Sequence, residues 1–275
     1  MRGRTPSDPV PKFDKARRAL CAAAPAWGIS MLGGGMLAAC ATRAPPSVQG
    51  VYRTVPPIER GPDGGLPIGW EDFVQRPDRA RTRYTVERRD GSFRLHAVAD
   101  SASSSLACRV DIDPRITPWL RWQWRVDALH ARASVADDLT EDCPARVVIA
   151  FDGDLGRLSL NDYIFSEQVE MFTGHKLPFA TLTYVWDGHL PVESVLPYVR
   201  CSRIQYLVVE NGEARLGRWL GYERNVLEDY RRVFGEPPSG HITHVGVLTD
   251  SDDLKNHVEA WYGDIGLFEE PLAEG

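Results

Sequence analysis

The segment from Trp119 to Val126 alternates strictly between apolar and polar residues, and this pattern limits what the chain can fold into. Successive side chains of a β-strand point to opposite faces of its sheet, so a period of two predicts a strand with one buried face. The buried face predicted in this way consists of Leu120, Trp122, Trp124 and Val126, and the opposite face carries Arg121, Gln123 and Arg125.

A second patterned strand is predicted over residues 146–151, where Val147, Ile149 and Phe151 fall on one side. An acidic connection joins the two strands and carries Asp137 and Asp138. Two regular strands linked by a long polar loop indicate a sheet that presents a polar group at its rim.

Further strand patterns follow one another from Trp70 onward, separated by turn signals such as the Asp90-Gly91 pair. One helix is predicted, capped by Asn225 with Glu228 three residues on, and ended by Gly235. Many short strands and a single short helix predict an all-β protein, an antiparallel β-sandwich or jelly roll, as one domain over residues 70–270.

The N-terminal segment has the features of an export signal. Basic residues between Lys12 and Arg18 precede an uncharged, largely apolar stretch that ends in Leu37-Ala38-Ala39-Cys40, which is similar to a bacterial lipobox. We predict a signal peptide over residues 1–40, a lipid on Cys40, and a tether rich in proline and glycine over residues 41–69. The alternative is an uncleaved membrane anchor, which Pro25 and three consecutive glycines disfavour.

The predicted localisation is the bacterial cell envelope. Ala41 follows the cysteine, as in lipoproteins that are sorted to the outer membrane, so we expect a lipid-anchored protein on its periplasmic face. Disulfides form in such a compartment. Cys108 alternates inward with apolar neighbours, whereas Cys143 and Cys201 lie next to turns and are the better candidate pair.

Composition and motifs exclude several functions. The formal net charge of −6 disfavours a nucleic-acid partner, because phosphate binding needs a basic surface. The sequence contains no nucleophile elbow, no His-Glu-x-x-His zinc motif, no phosphate-binding loop and no dinucleotide fingerprint. No catalytic residue and no cofactor is therefore assigned, and a binding module is favoured over an enzyme.

Nine short segments occur in a consistent order between about Trp70 and Phe268. They are WLRWQWRV at 119–126, ADD at 136–138, ARVVIAF at 145–151, LTYVW at 182–186, RNV at 224–226, DY at 229–230, FG at 234–235, TDSD at 249–252 and WYGDI at 261–265. Together these segments resemble the bacterial family called domain of unknown function 3047. The resemblance implies a secreted β-sandwich that is similar to galactose-binding and carbohydrate-binding modules, with no established activity. The family tends to show Arg-Asp where this chain has Arg224-Asn225, and Asn-Thr where it has Asp253-Leu254.

Candidate ligand-binding residues follow from side-chain chemistry. Flat tryptophan rings bind sugar faces but also fill thick sandwich cores, and tryptophans at strand ends are the better ligand candidates. The two aspartates of the acidic loop could accept sugar hydroxyls, or form a solvated turn. The predicted set consists of Trp119, Trp186, Arg121, Arg125, Asp137, Asp138 and Arg146, which would meet at one rim or face.

A second acidic corner contains Asp250 and Asp252, which are the candidate metal ligands because a structural Ca²⁺ ion takes oxygen donors. An EF-hand is excluded because Leu254 and Lys255 replace an oxygen ligand and the glycine of that loop. The alternative is a turn in which these carboxylates accept backbone N–H groups. His241 and His244 are not predicted to bind zinc, since a separation of three puts them on opposite faces of a strand.

The sequence thus predicts a protein that is anchored in the membrane through its lipid and binds a carbohydrate-like or other polar ligand of the envelope. The first alternative is a glycan hydrolase that uses two of Asp137, Asp138, Asp250 and Asp252. The second is a structural partner in an envelope complex.

Overall fold

The computed structural model describes residues 51–74 and 76–273, and strands are the commonest regular element in them. Within these residues there are thirteen strands, two α-helices and one 3₁₀ turn. The strands are β1 (Trp70–Phe73), β2 (Arg83–Arg89), β3 (Ser92–Asp100), β4 (Ser103–Ile112), β5 (Trp119–Val126), β6 (Arg146–Phe151), β7 (Ala180–Asp187), β8 (Val195–Tyr198), β9 (Cys201–Asn211), β10 (Leu220–Asn225), β11 (Ile242–Asp250), β12 (His257–Tyr262) and β13 (Gly266–Phe268). The helices are α1 (Leu160–Thr173) and α2 (Val226–Phe234), and the 3₁₀ turn is Leu155–Arg157.

The strands form two sheets that face each other. The larger sheet has the order β1-β4-β11-β6-β7-β9-β8, and the smaller has the order β10-β5-β12-β3-β2, with β13 beside β5. The predicted β-sandwich of jelly-roll type is confirmed. One strand pair differs from the prediction, because β7 and β9 run parallel while every other pair of named strands is antiparallel.

The core lies between the sheets and is built from the alternate residues that the sequence pattern marks. On β5, Leu120, Trp122, Trp124 and Val126 are all buried, as predicted. Their partners across the core come from the larger sheet and include Val147 on β6. Burying a large apolar side chain stabilises a fold by about 1.5–3 kcal/mol, so these faces hold the two sheets together.

The long β5–β6 loop is held against the larger sheet by one buried carboxylate. Asp187, at the end of β7, accepts hydrogen bonds from the backbone N–H groups of Val135 at 2.8 Å, His189 at 2.7 Å and Leu190 at 2.8 Å. Val135 and Cys143 of the loop pack into a small apolar cluster on that sheet. The acidic residues at the end of this loop therefore have fixed positions.

Helix α2 was predicted and α1 was not. Asn225 caps α2 through hydrogen bonds from the N–H groups of Leu227 and Glu228, both at 3.2 Å, and Gly235 ends the helix at a φ of 72°. The prediction of a single helix is wrong, because α1 also forms in the β6–β7 connection. Ser159 caps α1.

The start of the described chain packs onto the sandwich. Ile58 is buried, and its N–H donates to Asp264 Oδ1 at 2.9 Å. Trp70 Nε1 donates to the carbonyl oxygen of Pro56 at 3.0 Å. The predicted signal segment, Cys40 and residues 41–50 of the predicted tether lie outside the described residues. Among the described residues, no helix is long and apolar enough to cross a membrane.

The candidate pair Cys143 and Cys201 does not form a disulfide. Both residues are free, buried thiols, and so is Cys108. Cys143 packs in the same cluster as Val208, and Cys201 precedes Val208 by seven positions on β9. Seven strand residues span about 23 Å, far beyond the ~7 Å limit between the Cα atoms of a disulfide.

The outermost strands of the larger sheet are short. Each of β1 and β8 has four residues, and β8 contains Pro197. Proline has no N–H to donate to a neighbouring strand, so it is tolerated at a sheet edge.

Candidate functional site

A groove of about 1140 Å³ lies on the outer face of the larger sheet. Small side chains form much of its floor, because outward-facing positions of the central strands carry Ala107 on β4, Gly246 on β11, Ala150 on β6 and Thr183 on β7. These strands are hydrogen-bonded neighbours, so the small residues lie side by side and leave the floor flat. Val148 on β6 is the larger side chain opposite Gly246 on this floor.

Helix α1 lies across this groove. At its first turn, Asp162 accepts the N–H and the Oγ–H of Ser202 on β9, both at 2.7 Å. Just after its last turn, the ring of His175 lies 5.2 Å from that of Phe73 on β1. Four strands separate β9 from β1, so the helix spans most of the sheet.

The roof of the groove is apolar. Phe165, Val169 and Phe172 of α1 line it at spacings of four and three, which places them on one side of the helix. Asp162 is the single buried residue of α1. Although burial acts to raise the pKa of Asp162, the hydrogen bonds from Ser202 and Ser159 hold it below its usual value. The first turn is thus the firm attachment of this helix.

A buried ion pair lies at one end of the groove. Arg146 Nη1 donates to Asp250 Oδ2 at 2.7 Å, and the two residues are 2% and 6% exposed. Arg146 also donates to the carbonyl oxygen of Glu141, whose carboxylate accepts the hydroxyl of Tyr206. Burial raises the pKa of the Asp250 carboxyl well above its usual range, and Arg146 opposes this effect.

Two atoms of this ion pair are buried without a hydrogen-bond partner among the described residues: Arg146 Nε and Asp250 Oδ1. The first is a donor and the second is an acceptor. Both residues line the groove. A hydroxyl group both donates and accepts, so it satisfies the two kinds of atom together, which a purely accepting or purely donating group does not.

Three aspartates form an acidic cluster beside the ion pair. Asp142, Asp252 and Asp253 each offer one carboxylate oxygen, and these atoms lie within 4.8 Å of one another. Asp142 accepts the N–H groups of Asp253 at 3.1 Å and Leu254 at 2.6 Å. Burial and the neighbouring charges of Asp252 and Asp142 raise the pKa of Asp253 to about 6.

Oxygen donors of this kind suit Ca²⁺, which takes six to eight of them. The cluster offers three carboxylates, one of which already holds two backbone N–H groups. Of the predicted metal pair, Asp252 belongs to the cluster, whereas Asp250 is turned toward Arg146. The predicted ligand pair is therefore not assembled as such.

The predicted ligand-binding residues do not converge on one rim. Arg146 lies in the groove. Trp186 has no exposed surface, and its Nε1 donates to the carbonyl oxygen of Gly212 at 3.0 Å within the core. Asp137 and Asp138 are exposed, and Asp137 Oδ1 accepts the N–H of Leu139 at 2.9 Å as in an ordinary turn.

The remaining predicted residues belong to the smaller sheet, on β5. Arg121 is engaged by Glu223 at 2.5 Å, and Arg125 by Asp127 at 2.6 Å. Trp119 is the first residue of the same strand and is half-buried. The common surface that the sequence predicted is therefore divided between the two sheets and the core.

Apart from Arg146, Asp250 and Asp252, the residues of the groove were not predicted as site residues from the sequence. Glu141 and Tyr206 are hydrogen-bonded although they lie 65 positions apart in the chain, and no local sequence pattern predicts such a contact. The sequence does contain a signal for helix α1. Ser159 followed by Asp162 three residues later is typical of the start of a helix, and Gly174 is typical of the end of one.

The fold and the groove define a β-sandwich protein with a ligand-sized cleft on the outer face of one sheet. A family model described as a protein of unknown function, DUF3047, matches residues 68–266, and the chain belongs to this family. No curated protein matches the chain.

Solved structures with a similar fold include two glycan-degrading enzymes and one carbohydrate-binding module. Endoglucanase Cel12A from Rhodothermus marinus has a TM-score of 0.41 at 9% identity, over 81% of this chain and 98% of the other. The xyloglucanase domain of NopAA from Sinorhizobium fredii, in complex with cellobiose, has a TM-score of 0.41 at 8% identity, over 82% and 100%. A mutant of the family 29 carbohydrate-binding module CBM29-2 has a TM-score of 0.29 at 9% identity, over 78% and 91%.

Proposed function

We propose that this protein binds a carbohydrate-like ligand, rich in hydroxyl groups, in the groove on the larger sheet. The observation that carries the proposal is the pair of unpartnered atoms, Arg146 Nε and Asp250 Oδ1. A buried polar atom without a partner destabilises a protein by about 1–3 kcal/mol. A ligand hydroxyl that accepts from the arginine and donates to the aspartate would remove this penalty on binding.

The charge of the groove supports a neutral ligand. Around its charged end the lining carries five carboxylates, of Asp78, Glu141, Asp250, Asp252 and Asp253, and three guanidinium groups, of Arg76, Arg146 and Arg200. Carboxylates accept hydrogen bonds from hydroxyl groups and repel phosphate or sulfate. A neutral sugar therefore fits this end better than an anion does.

Aromatic rings beside the charged end give a surface for the apolar faces of sugar rings. Tyr206 and Tyr198 lie with their ring centroids 6.5 Å apart, and Tyr198 lies 6.0 Å from Phe165 of α1. All three residues line the groove. They replace the tryptophans that the sequence analysis put in this role.

The test is binding of neutral oligosaccharides, such as cellobiose and maltose, measured by calorimetry and by thermal shift. We expect binding to the unaltered chain, loss of binding in Val148→Trp, which fills the groove floor, and no change in Arg125→Ala on the smaller sheet. Absence of binding to every sugar, or equal binding by Val148→Trp, would overturn the proposal. Far-UV circular dichroism of each variant checks that the sandwich is intact.

A second candidate is a glycan hydrolase, and the acidic cluster favours it. Retaining glycosidases hold two carboxyl groups about 5–5.5 Å apart, one protonated and one ionised. Asp253, whose pKa lies near 6, is close to the carboxylates of Asp252 and Asp142. Release of reducing ends from a glycan, abolished by Asp253→Asn with binding retained, would establish this activity, and binding without any release would exclude it.

We further infer that the protein is attached by a lipid on Cys40 to the periplasmic face of the outer membrane. The support is the sequence Leu37-Ala38-Ala39-Cys40 followed by Ala41. Metabolic labelling with a radioactive fatty acid should mark the unaltered protein and not Cys40→Ala. Labelling of both, or of neither, would contradict the anchor.

A further inference from the structure

We propose that the ligand of the groove is an amphiphile, with a hydroxylated head at the charged end and an apolar chain between α1 and the sheet. This inference rests on the proposed function, since it adds a second part to the same ligand. It assigns a role to the later turns of α1, since the proposed sugar site uses only Phe165 of this helix.

The lining away from the ion pair is apolar on several sides. Beyond Phe165, the side chains of Val169 and Phe172 form the roof, and Leu177 and Ile204 approach from the loop after α1 and from β9. Valine, leucine and isoleucine side chains offer a sugar no hydrogen bond and no flat ring. They match a hydrocarbon chain, which gains free energy in proportion to the apolar area removed from water.

The size of the groove also exceeds what a small sugar needs. Pockets for small molecules are typically about 300–1,000 Å³, and this one is about 1140 Å³. A head group of one or two sugar rings leaves room for a chain under the helix.

The helix presents apolar surface to the groove without burying it. Phe172 lines the groove and is 70% exposed, although a helix that packs firmly on a sheet covers its inward aromatic residues. The firm attachment of α1 is at its other end, where Asp162 holds Ser202. An apolar chain lying beneath the last turns would cover Phe172 and complete the packing of α1.

Charge restricts the head group of the amphiphile. Seven carboxylates and five basic groups line the groove: Asp78, Asp111, Glu141, Asp152, Asp250, Asp252 and Asp253, with Arg76, Arg109, Arg146, Lys176 and Arg200. This excess of carboxylates would repel a phosphate or sulfate head, whereas the hydroxyl groups of an uncharged sugar head can donate hydrogen bonds to them. The chemical class is therefore a neutral glycolipid, of which an alkyl glycoside is the simplest representative.

The experiment measures Kd by calorimetry for methyl, hexyl, octyl and decyl β-glucoside, each below its micelle-forming concentration. We expect affinity to rise about fourfold for each CH₂ that enters the channel, until the channel is full. The variants Phe172→Ser and Val169→Ser should reduce this dependence on chain length while methyl glucoside binds as before. Met171→Ser is the matched control, because Met171 is 72% exposed on the same turn and does not line the groove.

The outcomes separate this inference from the proposed function. Binding of methyl glucoside with no gain from longer chains would overturn the amphiphile and leave sugar binding intact. Equal affinity for octyl glucoside and octanol would overturn the role of the hydroxylated head. A decrease in chain-length dependence in Met171→Ser as large as in Phe172→Ser would exclude a channel beneath α1. Because Phe172 is exposed, its variant should keep the unfolding midpoint of the unaltered chain, which checks its fold.

Discussion

Arg146 and Asp250 face each other diagonally across the β6–β11 strand pair, with 2.7 Å between Nη1 and Oδ2. Arg146 is the register partner of Leu248, and Asp250 lies two positions further along β11, so both side chains point outward into the groove. The ion pair thus connects the centre of the larger sheet to the end of the groove where we propose that hydroxyl groups bind.

Arg146→Ala should destabilise the protein by about 3–5 kcal/mol, because it leaves a buried carboxylate without its counterion. Burial already raises the pKa of Asp250, so its protonated form is favoured in the folded state and the loss should be smaller at low pH. Urea unfolding at several pH values measures this change. The double variant Arg146→Ala/Asp250→Ala should lose less stability than Arg146→Ala alone, because it leaves no buried carboxylate without a counterion. A free energy of unfolding for Arg146→Ala within about 1 kcal/mol of that of the unaltered chain would contradict the expectation, because a loss of this size is closer to that of a surface substitution.

Asp253→Asn should stabilise the protein near neutral pH. The pKa of Asp253 rises from 3.8 in the unfolded chain to about 6 in the folded protein, so folding favours the protonated form. Asp253 therefore contributes favourably to the stability of the folded protein below about pH 4, and this contribution is lost as the pH rises through about 6. The free energy of unfolding of Asp253→Asn should exceed that of the unaltered chain by about 1 kcal/mol at about pH 8. This value allows for solvent screening, because Asp253 is partly exposed.

The gain should disappear below about pH 4, where Asp253 is protonated in both states. Thermal unfolding across this pH range measures the difference between the two proteins. Asp137→Asn, in the exposed part of the β5–β6 loop, is the control and should show no such trend. A difference that does not change with pH would refute the assignment.

Asp187→Ala should loosen the β5–β6 loop. It removes the acceptor of three backbone N–H groups, at Val135, His189 and Leu190. Unpaired buried N–H groups destabilise by about 1–3 kcal/mol. Hydrogen exchange should accelerate over residues 133–143, together with a decrease in the unfolding midpoint. Asp138→Ala in the same loop should change neither, and unchanged exchange in Asp187→Ala would show that the loop is held by other contacts.

Asp162→Ala should release the first turn of α1 from β9. We expect faster hydrogen exchange over residues 160–173 and unchanged exchange in β5 and β6, since the core does not depend on this helix. Glu167→Ala, on an exposed position of α1, is the comparison. If both variants exchange alike, the attachment at Ser202 does not hold the helix.

The sandwich could be predicted from the sequence because its signal is local. Trp122 and Trp124 alternate with polar residues within one strand, and the pattern alone places them inward. The Asp90-Gly91 turn is also local, and both residues adopt a positive φ, at 53° and 81°.

The candidate site could be predicted only in small part. Arg146 and Asp250 are 104 positions apart, and the sequence marked both but not their pairing. Trp186 ends a strand, yet it lies in the core because the β5–β6 loop and the β9–β10 turn extend beyond that end. Helix α1 was missed because its apolar residues occur on several sides, so that its periodicity is weak even though its caps are regular.

The two short outer strands of the larger sheet, β1 and β8, limit aggregation of the protein through the edges of that sheet. A neighbouring chain that tries to extend the larger sheet meets at most four residues on either side, and at Pro197 it finds no N–H. Such edges resist the strand-by-strand growth that leads to fibres. We therefore expect crowded copies not to join through their larger sheets and to keep their grooves open to the surroundings.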